Sequence, residues 1–300
     1  MTETLRALIL GAAAGGGLPQ WNCGCPNCNA ARRGEIPSLT QSSLAVSGDG
    51  RSWAILNASP DIRTQLAAQP ALHPSGPRVS PIVSLLVTNG DIDHVAGLLT
   101  LREKQAFTLF GTAEILGLLD SNPLFAALDP AFVTRQAISL DRPFPLTSTI
   151  TATLFPVPGK VPLYMEGEEV VTDREGEQTV GVALEAGSAR AYYVPGCAKM
   201  TESLAARLRG AALVFFDGTL WRDDEMRQRG VGGKTGARMG HMAMSGPAGS
   251  IPAFADLQVE RKVFVHMNNT NPVLQPNSAE RREAEAAGWI IGADGMDFSL

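Results

Sequence analysis

Acidic and imidazole side chains are concentrated in one short segment, TNGDIDH, which contains Asp91, Asp93 and His94. Two carboxylates and an imidazole so close together supply the oxygen and nitrogen ligands that a divalent metal ion accepts together. Without a cation, the two carboxylates would repel each other in any partly buried position. The spacing therefore predicts a metal site. Capping of a helix by one of the aspartates, with His94 merely packed, is the alternative explanation.

Three apolar runs, over residues 82–87, 213–216 and 263–265, are predicted to be buried strands that end beside such side chains. The first leads into TNGDIDH, the second into Asp217 and the third into His266. Loops after the carboxyl ends of buried strands carry the chemistry of α/β proteins. We therefore expect five residues to share a divalent ion: Asp91, Asp93, His94, Asp217 and His266.

A second cluster of ligand-type residues lies near the N-terminus, where WNCGCPNC places Cys23, Cys25 and Cys28 in a CxCxxC array. Three thiolates in a tight loop predict a structural zinc ion. A redox role for Cys25 and Cys28 is the alternative, but no thioredoxin-like pattern surrounds them. Cys197 is the remaining cysteine of the chain and therefore a candidate for the fourth zinc ligand. A buried free cysteine is the more ordinary interpretation of this residue.

The glycine-rich segment GKTGARMGHM contributes Lys234, Arg238 and His241. An imidazole titrates near neutrality and suits general acid–base catalysis, so we predict a catalytic role for His241 together with Asp93. Lysine and arginine in a concave site attract carboxylates, which favours an acidic substrate. A solvated loop is the alternative interpretation of this segment.

The composition is that of an ordinary globular chain, with 300 residues and a formal net charge of −5. It has no basic run, so we expect no nucleic-acid partner. It has no apolar run of about 20 residues, so we expect no membrane insertion and a cytoplasmic location. We predict one domain over residues 1–300, with a cysteine-rich zinc loop at 21–30 and a glycine-rich insert at about 219–240.

The order of the elements indicates the α/β class, because strands first follow one another and then alternate with helices. Two details near the C-terminus are also predicted. A helix is expected to follow His241, and residues 289–291 are expected to start a closing hairpin.

A buried strand and a loop ending in DxDH, followed by a later aspartate and a later histidine at strand ends, resemble the metallo-β-lactamase superfamily. The resemblance implies an αββα four-layer sandwich of two mixed β-sheets flanked by helices. This sequence departs from the superfamily's HxHxDH motif, since Asn89 and Asp91 stand at the first two histidine positions. Lys160 lies where a third metal histidine is expected. The remaining histidines and carboxylates resemble a non-haem iron site, which favours Fe²⁺ over a zinc pair.

Within that superfamily, the segments NCGCPNC, TNGDIDHVAGLL, FFDGTLW, MGHMAMSG and VHMNNTNP resemble the coenzyme PQQ synthesis protein B family over essentially the whole chain. The resemblance implies bacterial biosynthesis of pyrroloquinoline quinone (PQQ), with other proteins of that pathway as possible partners. It further implies an iron-dependent oxygenase that uses O₂ to hydroxylate the tyrosine ring of a Glu–Tyr-derived precursor. A carrier of PQQ or its precursor to the periplasm and a metal-dependent hydrolase are the alternatives.

The resemblance also implies individual roles. Asn269 stands where some superfamily members carry an additional metal histidine, so it is the expected fourth ligand of the structural zinc. His241 stands where relatives carry a histidine that donates a proton. Substrate contacts are predicted for four residues: Asn89, Lys160, Lys234 and Arg238.

Overall fold

Two mixed seven-stranded β-sheets form the centre of the computed structural model, which describes residues 4–167 and 170–300. The first sheet has the order β14-β1-β2-β3-β4-β5-β6. Its strands are β1 (Arg6–Gly11), β2 (Ser43–Ser47), β3 (Trp53–Leu56), β4 (Ile82–Leu86), β5 (Phe107–Gly111), β6 (Val133–Ala137) and β14 (Asp297–Ser299). The second has the order β13-β12-β11-β10-β9-β8-β7. Its strands are β7 (Pro143–Pro145), β8 (Thr151–Pro156), β9 (Val180–Ala186), β10 (Ala189–Val194), β11 (Leu213–Asp217), β12 (Arg261–Val265) and β13 (Trp289–Ile291).

The inner faces of the two sheets pack against each other. The ring of Phe215 on β11 meets that of Phe298 on β14 edge to face, with centroids 5.3 Å apart. The buried hydroxyl of Tyr193 on β10 lies 3.0 Å from Ser42 Oγ, just before β2. Burial of these apolar faces is the main source of stability for such a layered fold.

Short helices cover the outer faces. The α-helices are α1 (Pro26–Arg32), α2 (Ile62–Ala68), α3 (Ile92–Val95), α4 (Ala113–Asp120), α5 (Glu202–Leu208), α6 (Glu225–Gln228), α7 (Gly236–Met239), α8 (Ser250–Ala253) and α9 (Ala279–Ala286). The 3₁₀ turns are Pro70–Leu72, Ala96–Leu101, Pro123–Ala127, Leu163–Met165 and Pro272–Leu274. Helices α2 and α4 contact the first sheet and α9 contacts the second, so the predicted αββα sandwich is confirmed.

The turn that carries His94 is fixed by close backbone packing. The amide of Ala58 donates to the carbonyl of His94 at 2.8 Å, and the amide of Gly97 donates to the carbonyl of Ala58 at 2.9 Å. A Cβ atom on Gly97 would lie 2.1 Å from the carbonyl oxygen of Ser59, which no side chain permits. A glycine is therefore required three residues after the histidine.

Two predictions near the C-terminus were wrong. Strand β13 does not start a hairpin, because it pairs in parallel with β12 while β14 pairs with β1 in the other sheet. The helix expected after His241 begins only at Ser250, nine residues on, as the four-residue α8. Strands β6 and β7 were not predicted from the sequence. No helix in residues 4–167 and 170–300 combines the length and apolarity needed to cross a membrane.

Candidate metal centre

His94 follows β4 and presents a free ring nitrogen to the site. Its Nδ1 lies 2.6 Å from Asn89 Oδ1, and that same oxygen accepts the amide of Asp91 at 3.0 Å. Because the oxygen can only accept, Nδ1 of His94 carries the proton and Nε2 keeps its lone pair. Nε2 is buried and has no hydrogen-bond partner among the described residues. Burial lowers the pKa of His94 to about 4, against the attraction of Asp93, so the ring is neutral at neutral pH.

His266 is held in the same tautomer by Thr219. The hydroxyl of Thr219 donates to Asp217 Oδ1 at 2.6 Å, so its oxygen accepts the proton of His266 Nδ1 at 2.8 Å. The other ring nitrogen, Nε2, lies 3.1 Å from Asp93 Oδ2. His266 has φ +58°, a left-handed conformation that costs a residue with a side chain roughly 1–2 kcal/mol. Such strain is concentrated at functional sites.

Asp93, His94 and His266 form one group whose ligand atoms all lie within 4.8 Å of one another. Asp93 is almost buried, with 13% of its side chain exposed. Burial disfavours its charged form, but His94 and His266 outweigh this effect and hold its pKa well below its usual range. A carboxylate and two imidazoles that turn their Nε2 atoms toward one point are a donor set that fits a divalent transition-metal ion.

A second group shares His266 and adds Asp217 and His241, again with ligand atoms within 4.8 Å. His241 Nδ1 lies 2.7 Å from Asp217 Oδ2, and its ring stacks on that of His266 with centroids 5.1 Å apart. Asp217 accepts the proton on His241 Nδ1, so the lone pair of His241 lies on Nε2. Burial raises the pKa of Asp217, but His241 reverses the effect and lowers it overall. His241 also lines a cavity of about 650 Å³.

Asp91 lies apart from these two groups within the described part of the chain. Its Oδ1 accepts the amide of Leu163 at 3.3 Å. Burial, with a further contribution from Asp93, raises its pKa. The structure therefore brings four of the five predicted ligands together with His241, while Asp91 belongs to neither group.

Replacement of Thr219 by valine should weaken metal binding by about 10- to 100-fold, the usual effect of removing a group that orients a metal histidine. Valine has nearly the same shape but cannot accept the proton of His266 Nδ1 or donate to Asp217. The dissociation constant of the bound ion, measured by competition with a chelator, tests this expectation. Thr219→Ser retains the hydroxyl and should bind metal normally; equal weakening in both variants would contradict the role.

The sulfur atoms of Cys23, Cys25 and Cys28 also lie within 4.8 Å of one another. The side-chain amide of Asn269 completes the cluster, with Nδ2 at 3.2, 3.6 and 3.2 Å from these three sulfurs. The oxygen and nitrogen of an amide are interchangeable by a flip, so the same side chain can turn its oxygen toward an ion among the thiolates. Cys197 is not in this cluster; its thiol donates to the carbonyl of Lys199. The arrangement fits a four-coordinate zinc ion.

One loop connects the two clusters, because Asn269 follows His266 by three residues. Asn27 on α1 donates to the carbonyls of Asn269 and Asn271 at 3.0 and 2.8 Å. On the other side, the amide of Met267 donates to the carbonyl of Ala12 at 2.9 Å. The cysteine cluster is therefore placed to brace the loop that carries His266.

The three predicted substrate-binding cations converge on Glu166. Its Oε1 lies 3.0 Å from Lys160 Nζ, and its Oε2 lies 3.0 Å from Arg238 Nη2 and 3.9 Å from Lys234 Nζ. The hydrogen bond from Arg238, followed by that from Lys160, lowers the pKa of Glu166 to about 2. Asn89 is placed differently, because its buried side chain orients His94. Its contacts favour a positioning role over the predicted substrate contact.

Known proteins resemble this chain over most of its length. Residues 52–267 match the family model of the beta-lactamase superfamily domain. The chain is 56% identical to coenzyme PQQ synthesis protein B of Rhizobium meliloti (strain 1021), over 100% of this chain and 99% of that protein. The chain belongs to the coenzyme PQQ synthesis protein B family. Another member, from Ruegeria pomeroyi, is 55% identical over 99% of this chain and 100% of its own length.

Solved structures confirm the fold of this coenzyme PQQ synthesis protein B family member. The Zn²⁺-bound PqqB of Methylobacterium extorquens superposes with a TM-score of 0.97 at 52% identity, covering 98% of this chain and 100% of that one. A diphosphatase of the PhnP family superposes with a TM-score of 0.69 at 17% identity, covering 100% and 98%. The second similarity shows the fold alone. The predicted metallo-β-lactamase fold is confirmed.

Two residues that contact the predicted site residues were not singled out from the sequence. Thr219 stands two residues after Asp217 in the segment FFDGT, and its closeness to a strand-end carboxylate was the available signal. Glu166 was not singled out, because one partner, Arg238, is 72 residues away and the nearby Lys160 alone does not distinguish it from a surface glutamate.

Proposed function

We propose that the protein acts in PQQ biosynthesis as an iron-dependent oxygenase that hydroxylates the tyrosine ring of a Glu–Tyr-derived precursor. Membership of the coenzyme PQQ synthesis protein B family supports the pathway. One observation carries the oxygenase assignment: Asp93, His94 and His266 offer one carboxylate and two imidazoles to a single point. That donor set is typical of non-haem iron enzymes that activate oxygen.

The two clusters are assigned to different ions. Asp93, His94 and His266 would hold Fe²⁺, with Asp217 and His241 beside it, and iron would supply the redox chemistry that oxygen activation needs. The cysteines and Asn269 would hold Zn²⁺, because thiolates select softer ions and a closed four-ligand set is typical of structural zinc. The zinc in the Methylobacterium extorquens relative supports the capacity of this family to bind that metal.

His241 is assigned the role of general base. Its Nδ1 donates to Asp217, which leaves Nε2 to accept the phenolic proton of a tyrosine ring. Loss of that proton makes the ring more electron-rich and therefore more reactive toward oxidation. Hydroxylation transfers one oxygen atom of O₂ to the ring; the other leaves as water, with two electrons from an added reductant such as ascorbate.

The test is anaerobic reconstitution of the protein with Fe²⁺, followed by exposure to isotope-labelled O₂ with the diamino-acid precursor and ascorbate. Mass spectrometry should find one labelled oxygen atom in the product. Asp93→Ala should give no product, because it removes the carboxylate of the donor set. An unlabelled product, or none at all with iron-loaded protein, would refute the oxygenase.

The same experiment separates the two alternatives. Full turnover with zinc in the absence of O₂ would identify a hydrolase. Tight binding of PQQ without turnover by any metal form, unchanged in Asp93→Ala, would identify a carrier.

A further inference from the structure

The ion pairs of Glu166 with Lys160, Lys234 and Arg238 leave more positive than negative charge in one place. One carboxylate contacts three cations, and no second carboxylate among the described residues lies within ion-pair distance of them. Glu166 and Lys160 are nearly buried, with 8% and 10% of their side chains exposed. Lys234 and Arg238 are more exposed, at 41% and 40%, so the excess positive charge faces solvent, where it attracts a further anion.

Arg238 retains unused hydrogen-bonding capacity at this point. Its Nη2 binds Glu166, whereas Nη1 is buried and has no hydrogen-bond partner among the described residues. A guanidinium presents two parallel donors that match both oxygens of a carboxylate. Because only Nη2 binds Glu166, the second donor, Nη1, is left without a carboxylate oxygen.

The segment that carries Glu166 is attached directly to the metal-binding loop. The amide of Leu163 donates to Asp91 Oδ1 at 3.3 Å, and the hydroxyl of Tyr164 donates to the carbonyl of Gly90 at 2.8 Å. On the opposite side, the stem of Lys160 packs against Gly240, the residue before His241. The cation cluster therefore borders both Asp91 and the predicted general base.

We propose that Glu166 occupies the binding position of a substrate carboxylate, and that Lys160, Lys234 and Arg238 form a recognition site for a small molecule with at least two carboxylates. The ligand would replace Glu166 on the cations, fill the second donor of Arg238 and offset the excess charge. Glu166 thus competes with the substrate and keeps the site closed to monoanions. This inference rests on the proposed function, because an amino-acid-derived precursor supplies such carboxylates.

Calorimetric titration of the purified, zinc-containing protein with isophthalate, an aromatic dicarboxylate, tests the competition. Glu166→Gln removes the competing charge but keeps the size of the side chain, so it should bind isophthalate about tenfold more tightly than the parent. Arg238→Met should bind it at least tenfold more weakly. Any contribution of the metal is common to all three proteins.

Two controls make the result decisive. Isophthalamide has the same shape without charge, and its binding should not change with Glu166→Gln. Glu166→Ala provides a second variant if the glutamine protein is misfolded by circular dichroism. Unchanged or weaker isophthalate binding in a folded Glu166 variant would overturn the proposal, since it would make Glu166 a support for the cations and not an occupant of their site. Because no oxygen or turnover is involved, the outcome is independent of whether the oxygenase assignment holds.

Discussion

His266→Asn is expected to lose the active-site metal ion and to reduce product formation by more than 100-fold. His266 is the residue common to both groups of candidate ligands, so its replacement disrupts each of them. Removal of a group that merely orients a metal histidine costs about 10- to 100-fold, and loss of the histidine itself should exceed that range. Metal content by elemental analysis and product yield under the labelled-oxygen assay measure the two effects.

Asparagine is the informative replacement at this position. It tolerates the left-handed backbone conformation of His266 better than most residues do, so the loop should keep its path. Its amide can also replace Nδ1 in the contact with Thr219, but it is too short to replace Nε2 near Asp93. The loss of metal and of product should therefore reflect the removal of His266 Nε2 alone.

His73→Asn is the matched control. His73 is exposed and contacts the carbonyl of Ala67, away from both clusters. This variant should keep its metal content and its activity. Retention of iron and activity in His266→Asn would show that the two groups of candidate ligands have another purpose, and the oxygenase assignment would lose its central observation.

The sequence was sufficient to predict the parts of the site that depend on strand exits. Asp217 and His266 could be grouped with TNGDIDH because β4, β11 and β12 are mostly apolar and the ligand-type residues come at or just after their exits. Strands β11 and β12 are parallel neighbours in the second sheet, so their carboxyl ends lie at one edge of it. Strand β4 belongs to the first sheet, and its exit meets theirs because the two sheets pack face to face. The roles assigned to these residues stay predictions until metal content and activity are measured.

The parts that failed depend on contacts between distant segments. Strand β14 pairs with β1 at the other end of the chain, and the local pattern of residues 289–299 contains nothing that distinguishes this pairing from a hairpin. Glu166 was missed for the same reason. The position of Asp91 outside the two ligand groups was not foreseen either, and its ligand role stays a prediction.

Cys25→Ser is expected to remove the structural zinc and to lower Tm by roughly 10 °C. Cys25 has two roles, as a candidate ligand and as the N-cap of α1, where its side chain accepts the amide of Cys28. Serine is a good N-cap but a poor zinc ligand, so this substitution separates the roles. Loss of a structural metal should cost at least about 3 kcal/mol, and each kcal/mol shifts Tm by about 2–4 °C in a large domain.

The loss should also extend to the second cluster. Without zinc, Asn269 no longer anchors the loop that begins at His266, so iron affinity should fall although no iron ligand has changed. Cys197→Ala is the matched control, because it removes a buried thiol outside the cluster and should leave the zinc content unchanged. Zinc and iron stoichiometry with calorimetric melting test all three effects. If Cys25→Ser lost zinc yet kept normal iron affinity, the cysteine cluster would stabilise α1 alone and would not brace the catalytic loop.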